Sequence, residues 1–101
     1  MKMLVIVFRE SLVEQVHVLL SEYDVTAFSE LHNVTGKGVT GPTSQFFLAP
    51  TTNRMILAAV SDQLAYRLVD AFTRFRLEQE AAKGDNAFPL HVFVLPCEQV
   101  V

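Results

Sequence analysis

The chain has 101 residues and a net charge of −3, which together describe a single small acidic domain. An acidic balance argues against a nucleic-acid partner, because phosphate neutralisation needs a basic face. Half the residues are hydrophobic and mean hydropathy is +0.30, rich for a chain with so few interior positions, so part of the apolar surface is expected in a subunit interface.

Met3–Phe8 is an unbroken apolar run rich in β-branched residues and predicts a central strand buried on both faces. Ser11 with Glu14 three residues later predicts a capping box. Val13, Val16, Leu19 and Leu20 then recur at helical spacing to about Glu22. Val25–Val34 predicts a second, less buried strand after a turn at Tyr23-Asp24. Residues 35–53 hold three of the four glycines and two of the four prolines. They predict a long loop, a feature often functional in a domain this small, with an apolar tip at Gln45, Phe46 and Phe47.

Arg54–Val60 predicts a third strand. Ser61 or Asp62 opens a second helix with a stripe of Leu64, Leu68, Phe72 and Phe75, and with Asp70 and Arg74 at i,i+4 spacing. Lys83 and Gly84 close it with a cation and a C-terminal glycine. After a turn at Asp85–Pro89, both faces of Leu90–Leu95 are apolar, which predicts a covered final strand that Pro96 stops. The order βαββαβ predicts an α+β, ferredoxin-like sandwich. One domain over residues 1–101 carries a four-stranded antiparallel sheet with both helices on one face and a long loop between strands 2 and 3. The other sheet face is left bare, and copies of the same sheet are its simplest cover.

No run reaches the roughly 18–20 apolar residues of a membrane span, and residues 1–8 lack the features of a signal peptide. The single cysteine, Cys97, excludes an internal disulfide and fits a reducing compartment, so a cytoplasmic protein is expected.

Three stretches in this order resemble the PII-like signalling proteins: the Met1–Phe8 strand, Val25–Gly38 leading into a glycine-rich loop, and the closing Val92-Phe-Val-Leu-Pro-Cys-Glu-Gln-Val. The resemblance implies a homotrimer of ferredoxin-like subunits that binds an effector, an adenine nucleotide (ATP, ADP or AMP) above all, in the cleft between neighbours. It further implies that residues 36–53 act as the family's T-loop and dock onto a regulated transporter or enzyme, and that Lys83–Phe88 is its B-loop. Most glycines of the family's B-loop pattern are replaced here, Phe88 and Pro89 stand among them, and His91 lies where that pattern ends in lysine. No tyrosine lies between Tyr23 and Tyr66 to serve as the family's modifiable one.

The expected ligand residues are therefore His32, Gly36, Lys37, Gly38, Gly41, Arg54, Lys83, Gly84, Phe88 and His91. Gly36-Lys37-Gly38 with Gly41 has the make-up of an anion-binding nest, and equally of a simple hinge. Arg54 can reach a phosphate or carboxylate, or else sit as a strand-end cation in solvent. His32 and His91 are the candidate metal ligands if adjacent strands or subunits bring them together, and a divalent metal (zinc, copper or nickel) is the alternative effector. That reading is similar to the cation-tolerance and metal-efflux proteins of related fold. His17 is expected at the surface, and Glu10, Glu14, Glu22, Glu30 and Asp62 at caps or in solvent. No nucleophile elbow, P-loop, triad or paired-carboxylate pattern occurs, so an enzyme is not expected. A third reading is a trimeric adaptor that docks without any ligand.

Overall fold

The computed structural model describes residues 1–35, 52–83 and 89–101. The elements run β1 (Lys2–Arg9), a 3-10 turn (Glu10–Leu12), α1 (Val13–Glu22), β2 (Ser29–Val34), β3 (Asn53–Val60), α2 (Asp62–Lys83) and β4 (Leu90–Pro96). The sheet order is β2-β3-β1-β4 with every pair antiparallel, the ferredoxin-like arrangement expected from the sequence.

Alternation along β1 divides the sheet into two apolar faces. Leu4, Ile6 and Phe8 point to the helices and are buried, as are Ile56, Ala58 and Val60 beside them on β3 and Leu90 on β4. From the helices, Val16, Leu19 and Leu20 of α1 and Ala65, Leu68, Ala71 and Phe72 of α2 close this core. The opposite face carries Met3, Val5 and Val7 of β1, Met55 and Leu57 of β3, and Phe93 and Leu95 of β4, by the same register. Among the described residues no element covers that face.

The final strand departs from expectation. The sequence predicts a strand covered on each side, whereas β4 is an edge strand with Phe93 54% and Leu95 47% exposed in the single chain. Its outward apolar positions belong to the open face. Membership of a four-stranded sheet was readable from the apolar run, but the edge position follows from strand order.

Helix ends explain most of the remaining differences. The predicted capping box at Ser11 does not form: the chain makes a 3-10 turn there, α1 starts at Val13, and neither N-cap position has a side-chain bond. Ser61 does cap α2, its hydroxyl accepting from the Leu64 amide at 3.2 Å. Helix α1 ends in a Schellman motif, with Val25 N donating to Leu20 O (2.9 Å) and Asp24 N to Ser21 O (3.0 Å). Val25 and Leu20 are both buried, which supplies the apolar contact of that motif and explains why strand β2 begins only at Ser29. The turn places Asp24 at φ 60°, where glycine is the usual residue. Asn33 also has a positive φ, 57°, at the register shift between Leu31 and Val34 that kinks β2 near its end.

Replacing Asp24 by glycine removes the Cβ from a left-handed position and should raise stability, by about 1 kcal/mol or less. A melting temperature that is unchanged or lower for Asp24→Gly would show that the aspartate carries a compensating interaction.

Candidate functional site

The only predicted ligand residues whose side chains are described are His32, Arg54 and His91, and the sheet separates them. His32 lies on β2 and His91 on β4, the two opposite edges, three strand spacings or about 14 Å apart. Alternation also puts them on opposite faces: His32 with Glu30 on the helix side, and His91, opposite Val7, on the open side. Within one chain they cannot share a metal ion, and among the described residues no group of three or more His, Cys, Asp or Glu side chains has the geometry to hold one. Gly36, Lys37, Gly38, Gly41, Gln45, Phe46, Phe47, Gly84 and Phe88, and the side chain of Lys83, lie outside the described residues.

Arg54 is neither a free ligand group nor a solvated cation. Its Nε and Nη2 donate to the two carboxylate oxygens of Glu10, at 2.8 and 2.6 Å, and Nη1 donates to Glu30 Oε2. Glu30 Oε1 in turn pairs with His17 Nε2 at 2.7 Å, and His32 Nε2 stands 3.9 Å from Glu30 Oε2. The His17 ring also rests 5.9 Å from the Phe28 ring. Side-chain exposure is 17% for Arg54 and 12% for Glu30, so this fork is shielded from water on its Glu30 side. The cluster ties the end of β1, helix α1, strand β2 and the first turn of β3 into one unit. It sits at the return from segment 36–51, where Glu10 N also donates to Thr52 O at 3.0 Å.

These contacts set the protonation of the acids. The Arg54 hydrogen bonds hold the Glu10 carboxyl below its ordinary value. Burial pushes the Glu30 carboxyl up, but bonds from Arg54 and His17 outweigh it and the net direction is down. Both carboxylates in turn hold Arg54 firmly in its charged form. In the sequence Glu10 and Glu30 read as cap or solvent residues and His17 as a surface residue, with no sign of their convergence. One cue was legible: Glu30 and His32 alternate onto the face that packs on α1. The partnership itself depends on the register Phe8↔Arg54, which no local pattern encodes.

A second arginine lies one position away on the other face. Arg9 N donates to Pro89 O at 3.1 Å, so the end of β1 abuts the chain leaving segment 84–88. Its Nε is buried and has no hydrogen-bond partner among the described residues. Register places Arg9 and His91 as diagonal neighbours on the open face. His91 also lines a cleft of about 290 Å³ between α2 and β4, together with Thr73, Arg76 and Phe93. A buried, unsatisfied guanidinium nitrogen is costly unless an acceptor arrives, which makes this corner suited to an anion.

The family model for nitrogen regulatory protein P-II matches residues 1–101. The chain belongs to that family. Among solved structures, CPII from Thiomonas intermedia K12 bound to ADP, AMP and acetate is 28% identical, covers 93% of this chain and 82% of its own, and superposes with a TM-score of 0.67. The same protein bound to ADP, AMP and bicarbonate is 26% identical over 93% of this chain and 88% of its own, again at 0.67. Its apo form is 26% identical over 92% and 84%, at 0.65. No match was found among curated proteins. This P-II chain thus shares the fold of a protein solved with nucleotides, and among its described residues no helix is long and apolar enough to cross a membrane.

The ion-pair cluster predicts an acid-labile contribution to stability. Glu10 and Glu30 titrate below 4.5 in the folded chain, so the unfolded chain takes up more protons as pH falls past 4.5. The stability they supply is complete above that value and is lost as pH drops through the lower folded-state range. Glu30→Gln should lower the melting temperature at neutral pH and flatten its fall as pH drops below 4.5. A variant that melts like the wild type at every pH would contradict the cluster's role.

Proposed function

We propose that this chain is the subunit of a homotrimeric regulatory protein that binds an adenine nucleotide between subunits and signals to a partner through residues 36–53. What carries the reading is the membership in the P-II family together with CPII, a structural neighbour over nearly the whole chain, whose structures hold ADP and AMP. The nucleotide's phosphates are the anion that fits the Arg9–His91 corner. Arg9 offers an unsatisfied nitrogen, His91 stands beside it, and segments 36–51 and 84–88 both join the described fold at this end of the sheet. Gly36, Lys37, Gly38, Gly41, Lys83, Gly84 and Phe88 then complete the site from the two segments. Arg54 serves it indirectly, by anchoring the return of the 36–51 segment to α1 through Glu30 and His17.

Self-association follows from the open face. Phe93, Leu95 and Leu31 are each more than two-fifths exposed and lie on the bare side of the sheet. Covering a large apolar side chain fully stabilises by about 1.5–3 kcal/mol, so an interface over this face is strongly favoured. Regulation is then a population shift: nucleotide acts on the partner only by binding one arrangement of residues 36–53 better than another. The regulated partner is a transporter or an enzyme, the protein itself is not a catalyst, and its place is the cytoplasm.

A thermal-shift series on metal-stripped protein tests this reading. ADP, AMP and ATP should each raise the melting temperature, since a ligand at 100 times its Kd stabilises by about 2.7 kcal/mol. Bicarbonate, present in three neighbouring structures with ADP, is added alone and with ADP. Arg9→Ala or His91→Ala should reduce the nucleotide shift while leaving the ligand-free melting temperature close to wild type. A shift with zinc, copper or nickel alone would favour the metal-responsive reading, with His32 and His91 meeting between subunits. No shift with any ligand would leave the adaptor reading.

A further inference from the structure

A second surface lies on the side of the sheet away from the open face. Helices α1 and α2 leave between them a groove of about 540 Å³. Its floor is apolar, with Leu19 and Ala71 buried and Phe75 half-buried, and Val18, 57% exposed, stands on its α1 edge. Its rim is acidic. Glu14 and Glu22 stand on α1 either side of Val18, and Glu78 stands on α2. The one basic side chain in the lining, Arg74, is engaged with the Tyr23 hydroxyl at 3.2 Å, at the end where Arg67 also stacks on the Tyr23 ring. Three glutamates against Arg74, with Arg67 at the Tyr23 end, leave the groove with a small negative excess.

We infer that this groove is a docking site for a basic amphipathic helix of a partner protein. The chemistry selects that occupant on three grounds. First, the exposed Val18 lies between two carboxylates one helical step of four on either side, so a ligand must bring apolar groups to the floor and cations to the rim together. Second, Glu14 and Glu22 are eight residues apart on one helix, about 12 Å along its axis. Lysines or arginines seven or eight residues apart on a helix lying alongside α1 meet both carboxylates while the apolar stripe between them covers Val18, Leu19 and Phe75. Third, an extended segment would press unpaired backbone amides and carbonyls onto an apolar floor, whereas a helix satisfies its own. An anionic membrane surface or a nucleic acid is excluded by the sign of the rim.

The site needs neither the nucleotide nor residues 36–53, so it stands apart from the regulatory reading. Because it lies opposite the apolar sheet face, self-association over that face leaves it accessible.

The probe is a synthetic leucine/lysine amphipathic helix of about 18 residues, long enough to hold helical structure, with a leucine/glutamate helix of equal length as control. Binding to the full chain is followed by fluorescence anisotropy, and its location by backbone amide shifts. The basic helix should bind, weaken with added salt and perturb residues 14–23 and 71–78. The double variant Glu14→Lys/Glu22→Lys, at exposed positions, should weaken it by about tenfold or more, and Val18→Asp should weaken it independently. Glu98→Lys, an exposed charge reversal on the C-terminal tail, should leave affinity unchanged. The inference fails if the basic helix does not bind, if the acidic helix binds equally well, if the shifts fall on the open sheet face, or if Glu98→Lys is as damaging as the double variant.

Discussion

Two layers of apolar side chains project from one four-stranded sheet, and the two helices cover only one of them. That imbalance governs the rest of the molecule. The inner layer, from Leu4, Ile6 and Phe8 across to Ile56 and Ala58, closes a core that a chain of this length can hold. The outer layer, from Met3 and Val5 to Phe93 and Leu95, has no cover among the described residues. Copies of the same sheet are the economical cover, because an apolar face that is flat and regular meets its own kind without new sequence. The proposed trimer and its intersubunit cleft both rest on this face.

At one end of the sheet the two faces carry two different arginines, and the difference assigns their work. Arg54, on the helix side, has each of its three nitrogens bonded to Glu10 or Glu30, so it ties the start of β3 to the turn after β1 and to β2. Arg9, on the open side, keeps a buried nitrogen with no acceptor among the described residues, beside Pro89 and diagonal to His91. Alternation thus sends neighbouring positions of paired strands to opposite faces, Arg54 to the helix side and Arg9 to the open side. Both 36–51 and 84–88 join the described fold at this end of the sheet, where the Arg54 ion pairs fix the start of β3.

Much of the fold was legible because local patterns decide it. The apolar runs at Met3–Phe8 and Leu90–Leu95, the stripe of α2 and the serine at position 61 each mapped onto the element they predicted. What escaped depends on register and strand order. The edge position of β4 was hidden because an apolar run reads the same whether its outer face meets a helix or another subunit. The ion-pair cluster was hidden because Glu10, His17, Glu30 and Arg54 come from four separate elements, each looking like an ordinary surface charge in isolation. The Ser11 capping signal failed because a 3-10 turn took the residues before α1 and moved the helix start past it. In the corner proposed as the site, His91 was singled out by the family pattern, while Arg9 had no motif to mark it.

Native mass spectrometry of the full chain with ADP added addresses the central claim most directly, since one spectrum reports both assembly and occupancy. The account predicts trimers that carry up to one ADP per chain, with monomers and dimers nearly free of nucleotide, because the site is completed between subunits. A monomer, or a trimer that never retains ADP, would contradict it. So would a monomer that binds ADP as well as the trimer does.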